Sequence, residues 1–163
     1  MDKKMFCFQC EQTVGCAGCT GNAGVCGKKA DTARLQDELT GALIGLARAV
    51  DSTTAISKRT GQIIIEGLFT TVTNVNFDDV SIENMIQKVR AEKERLVPDC
   101  SKCQSSCGKT DEYDMQQLWN ANEDIRSLKS LILFGIRGMA AYAYHANVLN
   151  YEDTEVNRFF CEA

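Results

Sequence analysis

The chain has 163 residues, a net charge of −4 and a pI near 5.1. That length suits one domain with a substantial core, or two small lobes. Lysines and arginines are dispersed among acids, so there is no basic stripe for nucleic acid or an anionic membrane surface.

The first residues, "MDKKMFCFQC", lack the apolar core of a secretory signal. The longest apolar runs, "LILFGI" and "GMAAYAY", are separated by Arg137 and are too short to span a bilayer. The expectation is a cytoplasmic protein with neither nucleic acid nor membrane as partner.

Residues 6–28, "FCFQCEQTVGCAGCTGNAGVCGK", carry Cys7, Cys10, Cys16, Cys19 and Cys26, with glycines at 15, 18, 21, 24 and 27. They show no hydrophobic period and read as a loop that wraps something. A helix follows, with Asp31 as its cap and Leu35, Leu39, Leu43, Leu46 and Val50 on one face. "STTAISKRTGQ" (52–62) reads as a connection or a weak helix start. "IIIEGLFTTVTN" (63–74) is rich in β-branched residues, but Ile64, Leu68 and Val72 keep helical spacing, which favours helix. Asp78 or Asp79 caps the next helix, whose stripe is Ile82, Met85/Ile86, Val89 and Leu96 and which Pro98 ends. Within it, "KVRAEKERL" (88–96) reads as a solvated face.

Residues 99–117 form a second Cys-bearing loop, with Cys100, Cys103 and Cys107. Tyr113 and Trp119 are expected to anchor it on the bundle. A long helix is predicted over 123–148, apolar nearly all round at its middle and therefore central and buried. Gly135 and Gly138 within it each cost about 1 kcal/mol relative to Ala, which suggests that a backbone or cofactor comes close. A last helix starts at Asp153 or Thr154. The fold class is all-α: an antiparallel helical bundle with an N-terminal Cys-rich loop and a second Cys loop. Met85, Met115 and Met139 are assigned to the core.

A reducing compartment and an odd number of cysteines, nine, argue against a disulfide framework. Cys7-x2-Cys10 and Cys16-x2-Cys19 supply the four thiolates of a tetrahedral zinc site, but sit closer together than zinc motifs usually do and leave Cys26 unused. A cuboidal iron–sulfur cluster tolerates uneven spacing, and the glycines let backbone N–H groups approach its sulfides. Cys7, Cys10, Cys19 and Cys26 would serve it, with Cys16 spare. Both readings stay open on spacing, with the cluster favoured. Cys100, Cys103 and Cys107 are a weaker candidate for a second metal site, its fourth ligand drawn from Cys16, Cys161 or His145. His145, the single histidine, fits a core-edge position better than a ligand. Arg126 and Arg137 either face the anionic cluster or pair on the helix surface.

"FCFQCEQT" followed by a Gly-Cys and then "GVCGK" resembles the opening of the hybrid cluster proteins, also called prismane or hydroxylamine reductase. "GLFTTVTNVNFDD" (67–79), "NEDIRSLKSLILFGIRGMAAYAYHANVL" (122–149) and "TEVNRFF" (154–160) resemble the family's N-terminal helical region in the same order. The resemblance implies a proximal [4Fe–4S] cluster on Cys7, Cys10, Cys19 and Cys26. The gap between Cys10 and Cys19 sides with the compact, four-iron branch over the [2Fe–2S] branch, while Cys16 adds a thiol that competes with Cys19. It further implies an oxidoreductase reducing hydroxylamine to ammonia and nitric oxide to nitrous oxide, and an electron-donating redox protein as partner. The catalytic hybrid Fe–S–O cluster takes its ligands from later α/β domains, which follow the region matched here.

The expected organisation is a cluster-binding loop at 1–30 and a helical bundle at 31–163, with those α/β domains absent. Such a chain is expected to relay electrons without reducing substrate. A stand-alone electron-transfer module and a structural zinc protein are the alternatives.

Overall fold

The computed structural model describes residues 5–10, 17–50, 56–97 and 111–163. Among these are six helices: α1 Ala30–Ala49, α2 Lys58–Thr70, α3 Asp79–Leu96, α4 Met115–Trp119, α5 Glu123–Val148 and α6 Thr154–Glu162. The class is all-α; the described residues hold one isolated β-bridge and no longer strand.

Local chemistry sets most helix starts. Ser57, Asp78, Asp114, Asn122 and Asp153 each accept a first-turn backbone N–H with their side-chain oxygen. Helix α1 differs from expectation. Its N-cap is Lys29, which makes no side-chain cap, and Asp31 lies inside the first turn, where its charge favours the helix dipole. Helix α2 begins at Lys58, within the stretch read as a connection, because Ser57 caps it. The short α4 was absent from the sequence reading and begins inside the stretch assigned to the second Cys loop.

The core joins Leu35, Leu39, Leu43 and Leu46 of α1 to Ile63, Ile64, Ile65 and Leu68 of α2 and to Ile82, Met85, Ile86 and Val89 of α3. Ala140 of α5 and Phe160 of α6 complete it. Helix α2 touches α1, α3, α5 and α6. That central place explains how three successive isoleucines are buried in one helix, overriding their β preference.

The "KVRAEKERL" face is not wholly solvated. Glu92 has no exposed surface. Its carboxylate accepts from Thr60 Oγ1 at 2.7 Å and pairs with Arg59 Nε at 2.9 Å and Arg95 Nη2 at 2.6 Å, tying α3 to the start of α2. Arg95 foremost holds the carboxyl below its usual range.

Helix α5 departs furthest from expectation. Only Arg137 and Ala140 of it are buried, while Leu128, Leu131, Ile132 and Tyr142 are 63, 67, 52 and 84% exposed. Met139, assigned to the core, is exposed as well. The helix packs one side on α2 and leaves an apolar side uncovered. A Cβ at Gly135 or Gly138 would meet nothing within 4 Å, so no backbone crowds either glycine.

Gly41 is the opposite case. A Cβ there would overlap the carbonyl of Tyr113, whose N–H donates to the Gly41 carbonyl at 3.1 Å. The segment leading into α4 thus lies directly on α1, with the Tyr113 ring beneath Arg48. Arg90 reinforces it with paired bonds to Glu112, 2.7 and 2.8 Å, and a third to Glu38 at 2.9 Å. Alanine at these two glycines should act in opposite directions. Gly41→Ala is expected to cost about 1–3 kcal/mol by overpacking, and Gly135→Ala to add about 0.5–1 kcal/mol by helix propensity. Urea denaturation of each single variant checks both signs.

Candidate metal centre

The Cys-bearing segment is held on the bundle from both sides. Cys7 and Cys19 form an antiparallel bridge, with Cys7 N–H donating to Cys19 O at 3.1 Å and Cys19 N–H to Cys7 O at 2.7 Å. Residues so paired project their side chains on one face. Both are buried and pack with Met5 against Ala33 of α1. On the other side of this short strand, Phe6 and Phe8 meet the Trp119 ring at centroid distances of 5.1 and 5.0 Å. Arg126 covers that ring at 4.6 Å and donates to the Trp119 carbonyl at 3.1 Å. Trp119 therefore anchors the first Cys segment, and Arg126 serves the anchor.

Two glycines in left-handed conformation flank the later thiols: Gly18, at φ 87°, precedes Cys19, and Gly27, at φ 86°, follows Cys26. A turn in which Gly27 N–H donates to Gly24 O, and Gly24 N–H to Lys28 O, presents Cys26. Cys7, Cys10, Cys19 and Cys26 all line one small cavity of about 30 Å³, with Gln9, Lys28, Thr73 and Asn74. The four cysteines thus share one space, and among the described residues no group of three or more His, Cys, Asp or Glu is placed to hold a single metal ion. Four thiols around one cavity are the donor set that an iron–sulfur cluster takes. Burial pushes the Cys7 thiol up, with Lys28 acting in the other direction.

Cys16, Cys100, Cys103 and Cys107 lie outside the described residues. Cys161 sits on α6 against the main core, its thiol pushed up to about 11 by burial. His145 is exposed near the end of α5, edge-on to Phe69 at 5.7 Å.

Beneath the thiols lies a polar network that the sequence reading missed. Lys28 is 3% exposed, and its Nζ donates to Gln9 Oε1 at 2.6 Å and to Gln36 Oε1. Gln9 Nε2 donates in turn to Ala33 O at 3.0 Å and Asp37 Oδ1 at 2.7 Å. Arg137 reaches the same place from α5, donating to Thr71 Oγ1 and Thr40 Oγ1, both at 3.0 Å, and more weakly to Gln9 O at 3.4 Å. A faint signal existed: Gln36 and Thr40 form an i, i+4 polar pair inside the apolar stripe of α1.

Burial raises the Asp37 carboxyl to about 6, against the opposing pull of Gln9, Arg137 and Lys28. The folded chain therefore holds this proton more tightly than the unfolded one. The resulting stabilisation, about 3 kcal/mol, is complete below pH ~4 and lost as pH rises through ~6. The metal-free chain should therefore lose stability between pH 4 and 7, and Asp37→Asn, whose Oδ1 still accepts from Gln9, should lose that pH slope. Urea titrations between pH 4 and 7 check this.

A model of the Prismane/CO dehydrogenase family matches residues 5–163. Curated relatives named hydroxylamine reductase include one from Methanococcus vannielii, 38% identical over 177 residues, covering 98% of this chain and 32% of its own length. The protein of that name from Porphyromonas gingivalis W83 is 40% identical over 179 residues, with 98% and 32% covered. The one from Thermodesulfovibrio yellowstonii is 40% identical over 181 residues, with 98% and 33% covered. The chain spans about a third of the length of these relatives. It belongs to the Prismane/CO dehydrogenase family.

Proposed function

We propose that the chain is the N-terminal electron-relay region of a hydroxylamine reductase-type oxidoreductase, holding one [4Fe–4S] cluster on Cys7, Cys10, Cys19 and Cys26. The observation that carries the reading is that those four cysteines line a single cavity, two of them fixed side by side by the Cys7–Cys19 bridge. Four cysteines that share one cavity suit a polynuclear centre, whose thiolate ligands stand on separate irons. Once bound, the cluster supplies one-electron storage and transfer. The chain's own residues fix its ligands: the bridge sets Cys7 against Cys19, Gly27 turns the chain after Cys26, and Trp119 clamps the Phe6–Phe8 strand. The cavity has the size of about one water, so a cluster would need more room than it offers, and the exposed Cys26 turn borders it on the solvent side.

In the longer parent, electrons pass from a donor redox protein through this region to a substrate-reducing hybrid cluster held by later α/β domains. The uncovered apolar side of α5, with Leu128, Leu131 and Tyr142, is the surface on which those domains pack. Substrates of the parent are hydroxylamine and nitric oxide.

Single Ser replacements at Cys7, Cys10, Cys19 and Cys26 should each abolish or shift the cluster spectrum. Cys16→Ser, and the triple Ser replacement of Cys100, Cys103 and Cys107, should leave iron near four per chain. Iron and sulfide analysis after anaerobic purification decides it: loss in Cys16→Ser with retention in Cys19→Ser would reassign the third ligand. A fall to zero in the triple variant would move the site altogether.

The 163-residue chain should accept electrons from a strong reductant and yield no ammonia from hydroxylamine above a free-iron control. Sustained, iron-dependent turnover by this chain would contradict the relay role.

A further inference from the structure

Among the described residues, the hydrogen bonds of two buried cations near the four thiols, Lys28 and Arg137, run only to neutral oxygens. Lys28, at 3% exposure, contacts the amide oxygens of Gln9 and Gln36 and lines the cavity itself. Arg137, at 4%, contacts two threonine hydroxyls and the carbonyl of Gln9, which lies between Cys7 and Cys10 in the chain. Those hydroxyls are turned to serve as acceptors: Thr40 Oγ1 donates to Gln36 O and Thr71 Oγ1 to Leu68 O, each at 2.8 Å, leaving lone pairs for the guanidinium.

Burying a charge without an opposite charge is expensive, and an arginine cannot escape by losing its proton near neutral pH. Asp37 provides one negative charge in the neighbourhood, felt by Arg137 alongside Cys7 and Cys10. Among the described residues, two buried cations face one carboxylate, which is an excess of positive charge at the floor of the site. An anion above it closes the balance.

On the reading that the thiols hold a cluster, we infer that Lys28 and Arg137 are potential-setting residues: their buried charges favour the reduced, more negative state and raise the midpoint potential of the centre. Four thiolates outweigh the positive charge of the iron–sulfide core, so the occupied site is net negative, and more so after reduction. A fixed cation in a low-dielectric floor then stabilises the reduced form by more than the oxidised one. Asp37 acts in the opposite direction. Arg137 is also a positioning residue, because its Nη1 contact to the Gln9 carbonyl links the Cys7–Cys10 segment to α5.

The test is an EPR-monitored redox titration of cluster-loaded wild type, Lys28→Met, Arg137→Met, Arg137→Lys and Asp37→Asn. Lys28→Met and Arg137→Met are expected to lower the midpoint potential. Arg137→Lys should stay near wild type, since it keeps the charge, and Asp37→Asn should raise the potential. A purely structural role would alter cluster content or stability without this ordering by charge. If Arg137→Met fails to fold, Lys28→Met and Asp37→Asn still carry the comparison with their opposite signs. Loaded variants with wild-type potentials, or an upward shift in Lys28→Met, would overturn the inference. A wild-type chain that takes up no iron would instead defeat the reading on which it rests.

Discussion

A guanidinium buried where α1, α2, α5 and the Cys-bearing segment meet is the constraint on which the site depends. Arg137 spends its donors on Thr40 of α1, Thr71 at the end of α2 and the backbone of Gln9. One side chain thereby relates the long helix to the core and both to the thiols. The helix otherwise contributes little to the interior, with Ala140 as its other buried residue. Without Arg137 the thiol loop would still rest on Ala33 and on Trp119, but its floor would lose its registration to α5.

The Cys segment and the bundle fold against each other. Met5, Cys7 and Cys19 bury apolar surface on α1, while Phe6 and Phe8 face Trp119 at the end of α4. Alternation along a short extended strand produces this two-sided attachment. The strand is too short to be stable by itself, so its shape rests on what lies on each face. That arrangement leaves the thiols on a supported edge whose outer turn, carrying Cys26, is exposed and able to adjust.

Much of the fold was legible in the sequence because caps and periodicity are local. Asp78 with the apolar stripe behind it, and Asp153 with its first-turn bonds, mark the starts of α3 and α6. What failed was reading a partner from a pattern. The apolar residues of α5 identify a surface that avoids water in some assembly, but a period is silent about which part of a polypeptide covers it, and here Leu128 and Leu131 are exposed. Gly135 and Gly138 misled for the same reason. At the site, cysteine spacing drew attention to the four thiols that share a cavity, whereas nothing in the local pattern singled out Lys28 or Asp37. Their setting depends on long-range packing of Gln9 against α1, which no local window contains.

The central claim is that four thiols spaced around one cavity hold a single four-iron centre. Native mass spectrometry of the anaerobically purified chain tests it most directly, because intact mass counts iron and sulfide together and separates them from zinc. The account predicts one species, shifted by the mass of one [4Fe–4S] unit per chain and returned to the apoprotein mass by an iron chelator with oxidant. A shift of a single zinc per chain, or of two irons and two sulfides, would contradict it.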